Sequence, residues 1–296
     1  MIIMKKLLSF LFCLFITSCC AYQYDLSICT IFRDEAPYLK EWIEYHRLLG
    51  VQHFYLCNHN SLDNYNEVLD HYIKEGIVEL KEISDSPKAD LADFTFNFQT
   101  KWYTECLVKA KDQSKWVAFL DSDEFLCLLD GNNLVDFLKN YEEFGGVSLN
   151  WFFFGTSNIQ QLCPNKLMIE QLTCCSLHSN ENFTLLKCIV QPRYVSQFRS
   201  PHFADFLPGY FAVNTNQEPL LNEPWKGVLL FDKLRINHYW TREEEYFWKV
   251  KIPRQIQLHG QTETAMSFYV DFNKSENFDI QKFVPELRKK MGYDKK

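Results

Sequence analysis

From residue 26 onward the chain alternates short β-rich apolar runs with stretches whose apolar residues recur every three or four positions. Leu26 to Phe32 reads as a strand, and after Arg33-Asp34-Glu35-Ala36-Pro37 the residues Leu39, Trp42, Ile43, His46 and Leu49 fall on one helical face. Asp34 and Glu35 supply negative charge at that helix start, Pro37 suits its first turn, and Gly50 stops it. The unit repeats, with a strand from Val51 to Cys57, a polar loop from Asn58 to Asn64, a helix carrying Val68, Leu69, Tyr72 and Ile73 up to Gly76, and a strand from Ile77 to Ile83. A helix over 98–111 puts Trp102, Cys106 and Ala110 on one face, and Trp116 to Leu120 predicts a buried strand of parallel type. A helix near Leu134 to Tyr141 and a strand from Val147 to Phe154 follow, after which the alternation fades into short strands and loops. Such alternation predicts an α/β fold, a mostly parallel sheet flanked by crossover helices with a more irregular C-terminal half. No Gly, Pro or Ser-rich linker divides it. The expected organisation is a leader over 1–21, one main domain over 22–255, and a C-terminal extension over 256–296 that packs on it and frays into a basic tail with Lys289, Lys290, Lys295 and Lys296.

With 296 residues, 47% apolar, and only 10 Gly and 10 Pro, the chain is neither disordered nor a collagen-like repeat. Its 38 acidic against 31 basic side chains give a net charge of −7 without a Lys/Arg cluster, which argues against a nucleic-acid partner. The 16% aromatic content suits both a thick core and stacking against sugars or bases.

At the N-terminus, Lys5-Lys6 precedes an apolar run from Leu7 to Ile16 and then Thr17-Ser18-Cys19-Cys20-Ala21, the pattern of an export leader. The run is shorter than the roughly 20 residues of a spanning helix. Three readings stay open: a cleaved leader, a lipid anchor on Cys19 after the lipobox-like Ile16-Thr17-Ser18, and a short signal anchor. Each implies the secretory route or membrane association, a Golgi-type lumen in a eukaryote or the cell envelope in a bacterium. Eight cysteines follow, none in a C-x-x-C pair, so a zinc knuckle is not expected. Asn182 and Asn273 head sequon-like triplets.

Chemistry concentrates at Asp121-Ser122-Asp123-Glu124, directly after the Trp116 to Leu120 strand. In open α/β sheets ligands bind at the carboxyl ends of strands. Two carboxylates spaced i, i+2 there suit one hard divalent cation that in turn holds phosphate oxygens. An Asp-x-Asp after a buried strand also occurs in haloacid dehalogenase-type phosphoryl transfer enzymes, but there it lies near the N-terminus and Thr or Val follows, where this chain has Phe125.

The order of motifs resembles glycosyltransferase family 92. The resemblance rests on Arg33-Asp34-Glu35, Glu41-Trp42, His46, Gly50, Phe54, the Asn58 to Asn64 loop, Trp116 leading into Asp121-Ser122-Asp123-Glu124-Phe125, and Trp151-Phe152-Phe153-Phe154-Gly155. It continues through Met168-Ile169-Glu170, Lys187-Cys188-Ile189-Val190-Gln191-Pro192, His202 and Asn237-His238-Tyr239 to a Glu-rich helix from Arg242 to Lys251. It implies a GT-A type fold and metal-dependent transfer of a hexose, often galactose, from a nucleotide sugar such as a UDP-hexose to a glycan acceptor, usually with inversion. Carried onto this chain, it makes Asp121 and Asp123 ligands of Mn²⁺ or Mg²⁺ and His238 the third ligand. Lys187 and His202 then face the donor phosphates. Arg33, Asp34 and Glu35 lie where base and ribose would sit, with Asn60 and Asp63 as further contacts. An inverting transfer needs a general base, for which Glu170 is the first candidate and Glu124 the second. Trp151 to Phe154 is a candidate acceptor platform. Thr156-Ser157-Asn158-Ile159 replaces the glycine and small polar residues that the family pattern has after Gly155, and Cys174-Cys175 stands where basic residues are common. The competing reading is a catalytically inactive carbohydrate-binding protein, exported or lipid-anchored, on the same fold.

Overall fold

The structure is a computed structural model that describes residues 21–83, 98–177, 186–220 and 229–293. The leader, the Asn182 sequon, Lys295 and Lys296 lie outside the described residues. Its strands are β1 (Tyr24–Phe32), β2 (His53–His59), β3 (Val78–Ile83), β4 (Ser114–Phe119), β5 (Glu124–Leu128), β6 (Gly146–Phe153), β7 (Cys174–Cys175), β8 (Leu186–Val190), β9 (Val195–Ser200), β10 (Phe203–Phe206), β11 (Ala212–Val213), β12 (Leu234–His238) and β13 (Ser275–Glu276). Its helices are α1 (Ala36–Leu48), α2 (Tyr65–Lys74), α3 (Gln99–Ala110), α4 (Leu134–Leu138), α5 (Met168–Gln171), α6 (Glu244–Tyr246), α7 (Ile252–His259), α8 (Glu263–Asp271) and α9 (Val284–Met291).

The main sheet runs β3-β2-β1-β4-β8-β6-β12-β5, with β11 beside β6. β1, β2, β3 and β4 are mutually parallel, as the alternating pattern requires. β8 enters antiparallel between β4 and β6. β12 runs parallel to β6 and antiparallel to the outermost strand β5. The arrangement is the expected α/β fold with a mostly parallel sheet. In this register the carboxyl ends of β1, β2, β4, β6 and β12 share one edge with the amino ends of β5 and β8.

The alternating pattern names no element over 124–128, where β5 forms, and α1 holds it. An edge strand exposes unpaired backbone groups. Here Trp42 Nε1 donates to the Glu124 carbonyl at 2.7 Å, Tyr45 Oη donates to the Leu126 carbonyl at 2.8 Å, and the Leu126 N–H donates to His46 Nε2 at 3.3 Å. His46 Nδ1 in turn donates to the Trp42 carbonyl at 2.8 Å, which fixes the neutral tautomer. Burial holds this imidazole down at about 3, so it stays uncharged.

Two expectations are corrected. The Trp151 to Phe154 run is strand core rather than an open platform, each residue less than a tenth exposed. Lys289 and Lys290 belong to α9, whose Leu287 is buried and which follows Phe283, a ring 5.5 Å from Tyr45, so this part of the tail is docked. The eight cysteines from Cys29 to Cys188 are all free thiols. Asn273 has its side chain engaged by Ser157 N–H and the Tyr269 carbonyl.

Candidate active site

The turn between β4 and β5 carries Asp121, Ser122 and Asp123 at the strand-end edge, closed by the Glu124 N–H on the Asp121 carbonyl (3.1 Å) and the Asp121 N–H on Glu124 Oε2 (2.9 Å). Lys187, on β8 and almost wholly buried, reaches over this turn, its Nζ 2.9 Å from Asp121 Oδ1 and 3.8 Å from Glu124 Oε1. Gln99 of α3 donates to the same Asp121 oxygen at 2.5 Å. On the other side, His238 Nε2 lies 3.3 Å and Lys251 Nζ 3.5 Å from the two carboxylate oxygens of Asp123. The Tyr239 N–H donates to the Asp123 carbonyl at 2.9 Å.

Burial is the largest single influence on both aspartates and pushes them up, but the surrounding cations outweigh it. Lys187 leads for Asp121, which ends below its ordinary value. His238 and Lys251 lead for Asp123, which ends well below. Burial likewise raises Glu124 well above the carboxylate range despite Lys187. The sheet edge therefore holds two ionised aspartates at neutral pH.

Glu35, at the end of the β1 loop, is buried and ion-paired with the fully buried Arg242, and it accepts a hydrogen bond from Tyr246 Oη at 3.3 Å. Arg242 Nη2 also approaches the Ser122 carbonyl at 3.4 Å, and the guanidinium lies 3.6 Å from the Tyr38 ring centroid. One side chain thus ties the β1 loop, the aspartate turn and the segment after β12 together. Asp34 holds the Leu62 N–H at 2.6 Å, and Asp63 Oδ2 accepts the Ala36 N–H at 2.7 Å, capping α1 from the neighbouring loop. The β1 and β2 loops are braced to each other, with Arg33 3.7 Å from Asp34 and Asn60 at a left-handed φ of 55° in the same loop pair. Asp34 and Asp63 therefore spend carboxylate oxygens on backbone rather than presenting them all to a ligand.

His202 stands beside Lys187 with its ring 5.1 Å from Trp151 and its Nδ1 donating to the Leu186 carbonyl at 3.0 Å. Burial and then the Lys187 charge push it down to about 4, so it is a neutral imidazole with hydrogen-bonding capacity. Of the two general-base candidates, Glu124 is fully buried beneath the turn. Glu170 is not brought to the site: it pairs with Arg288 of α9 at 2.9 Å and closes the first turn of α5 on the Leu167 N–H at 3.4 Å. Lys251 and Arg242 are the site residues that sequence reasoning passed over. Lys251 reaches Asp123 because the backbone widens into a π turn at Phe247–Lys251, a local irregularity with no sequence signature.

Two carboxylates and an imidazole form a donor set suited to Mn²⁺ or Mg²⁺. The 3.3 Å between Asp123 Oδ1 and His238 Nε2 is near the roughly 3 Å edge of an octahedron with ~2.1 Å bonds. Among the described residues no three His, Cys, Asp or Glu side chains yet converge as a metal cage, Asp121 facing Lys187 instead.

Comparison with known proteins assigns this architecture. The glycosyltransferase family 92 model matches residues 23–223. The chain belongs to glycosyltransferase family 92. A glycosyltransferase family 92 protein of Ricinus communis is 26% identical over 270 residues, which cover 89% of this chain and 42% of that protein. A galactan beta-1,4-galactosyltransferase of Arabidopsis thaliana is 28% identical over 133 residues, covering 43% of this chain and 26% of its own. The chain thus spans less than half the length of these relatives. The crystal structure of S. aureus TarS 1-349 aligns with a TM-score of 0.39 at 13% identity, covering 83% of this chain and 70% of that one.

Proposed function

We propose that this family 92 protein is a metal-dependent transferase that moves a hexose, galactose-like, from a nucleotide sugar to a glycan acceptor with inversion. The observation that carries the reading is the pair of ionised aspartates at the strand-end edge, with His238 facing one of them and a buried lysine on each. Asp121, Asp123 and His238 would hold Mn²⁺ or Mg²⁺. The cation would screen the charge that builds on the leaving nucleotide diphosphate. Lys187 and Lys251, already desolvated and aimed at the turn, add positive charge for the same phosphates. Arg33, on the loop after β1, would lie toward the nucleoside, with Glu35 held beneath it by Arg242.

The similarity to a galactan galactosyltransferase supports galactose as the first donor to test. Calorimetric titration of the leader-deleted protein with UDP-galactose, UDP-glucose and GDP-sugars, with and without Mn²⁺, tests the reading. Metal-dependent binding of one donor, abolished in Asp123→Asn, is the expected result. Absence of donor binding with metal present would overturn it in favour of a glycan-binding protein on a transferase fold.

A further inference from the structure

The run expected to bind the acceptor is buried, yet another aromatic surface is joined to Asp123 through Lys251. Trp240, two residues beyond His238, is only half-buried, and Lys251 Nζ sits 4.6 Å from its ring centroid while also 3.5 Å from Asp123. Phe268 of α8, also half-buried, meets Trp240 edge-on at 5.2 Å. Phe268 stacks on Phe272 (5.0 Å, 18°), Phe272 on Phe153 (4.5 Å, 13°), and Phe153 lies 5.3 Å from the His238 ring. The shelf is therefore a continuous file of packed rings anchored in strand β6.

Trp240 follows β12 directly, at the same strand-end edge that carries Asp123 and His238. We infer that Trp240 and Phe268 form the acceptor subsite, holding the C–H face of a hexose of the acceptor glycan beside Asp123 and Lys251. Aromatic rings bind sugar by their apolar faces without demanding one hydroxyl pattern, so this subsite orients a chain of hexoses, and polar neighbours select among them.

The inference rests on the transferase reading, and the test separates the two. Trp240→Ala, Trp240→Phe and Phe268→Ala are compared with wild type, with soluble β-linked galacto- and gluco-oligosaccharides as acceptors. Two readouts are taken, oligosaccharide binding by intrinsic tryptophan fluorescence and the KM values for acceptor and donor. An acceptor KM raised about tenfold in both alanine variants, largely restored in Trp240→Phe, with donor KM within about twofold, is the expected result. Wild-type acceptor KM and an unchanged fluorescence titration in Trp240→Ala would overturn the subsite. If the wild type bound no nucleotide sugar, the transferase reading would fail. The fluorescence titration would still decide whether the shelf takes glycan, since its loss in Trp240→Ala supports the subsite and its persistence rejects it.

Discussion

At the scale of single residues the site is organised by buried cations set against carboxylates. Such a pair is costly to break from one side, because the partner is left desolvated and uncompensated. Lys187→Met leaves the ionised Asp121 without its buried counter-charge, so we expect a loss of about 3 kcal/mol in urea-induced unfolding, with metal-dependent donor binding lost as well. Asp123→Asn keeps shape and is expected to stay folded, as read by circular dichroism, while metal-dependent donor binding disappears. In His238→Ala the metal concentration for half-maximal donor binding should rise at least tenfold. An identical metal requirement in mutant and wild type would remove His238 from the ligand set.

At the scale of elements, tertiary contacts finish what local sequence leaves open. α1 has no cap from its own N-cap side chain and takes one from Asp63. The buried Glu41 in turn accepts the Met168 and Ile169 N–H groups at the start of α5 (2.7 and 3.0 Å), and burial pushes it up to about 7. His46 joins α1 to β5 only as a neutral ring. Its folded value of about 3 lies below the ordinary 6.5, so the unfolded chain takes up a proton first as pH falls and the His46 contribution is lost below pH 6.5. The advantage of wild type over His46→Gln should therefore shrink by about 1.4 kcal/mol per pH unit between pH 6.5 and 4, measured by denaturant unfolding. After Gly155, where a Cβ would meet the Phe272 carbonyl at 2.5 Å, Ser157 and Asn158 both adopt left-handed backbone (φ 53° and 55°). Asn158→Gly should raise stability by up to about 1 kcal/mol, since glycine adopts that conformation without strain.

At the scale of the molecule, the site is assembled from β1, β4, β8, β12 and the π turn after α6, so occupancy is coupled to global folding. Mn²⁺ and the correct nucleotide sugar together, at about 100 times the dissociation constant, should stabilise the native state by about 2.7 kcal/mol and raise Tm by about 5 °C or more. Neither Mn²⁺ with an unrelated nucleotide sugar nor the pair added to Asp123→Asn should do so, which differential scanning fluorimetry would show.

Hydrophobic periodicity determined the alternating elements from Leu26 to Phe153, because strands with period two and helices with period 3.6 are local consequences of which positions must be buried. It also placed Asp121 and Asp123 at a strand end, since a carboxylate pair directly after an apolar run can lie nowhere else. What it left undecided was everything that depends on contacts across the chain. β5 has no element of its own in the alternating pattern, and α1 supplies hydrogen-bond partners along it. Glu170 reads as a free carboxylate until α9 brings Arg288 to it. Trp151 to Phe154 and Trp240 are alike as letters, and only the sheet order makes the first a core and leaves the second half-open beside Asp123. Lys251 and Arg242 join the site through a backbone irregularity and a pairing 207 residues apart in sequence, and a local pattern carries information about neither.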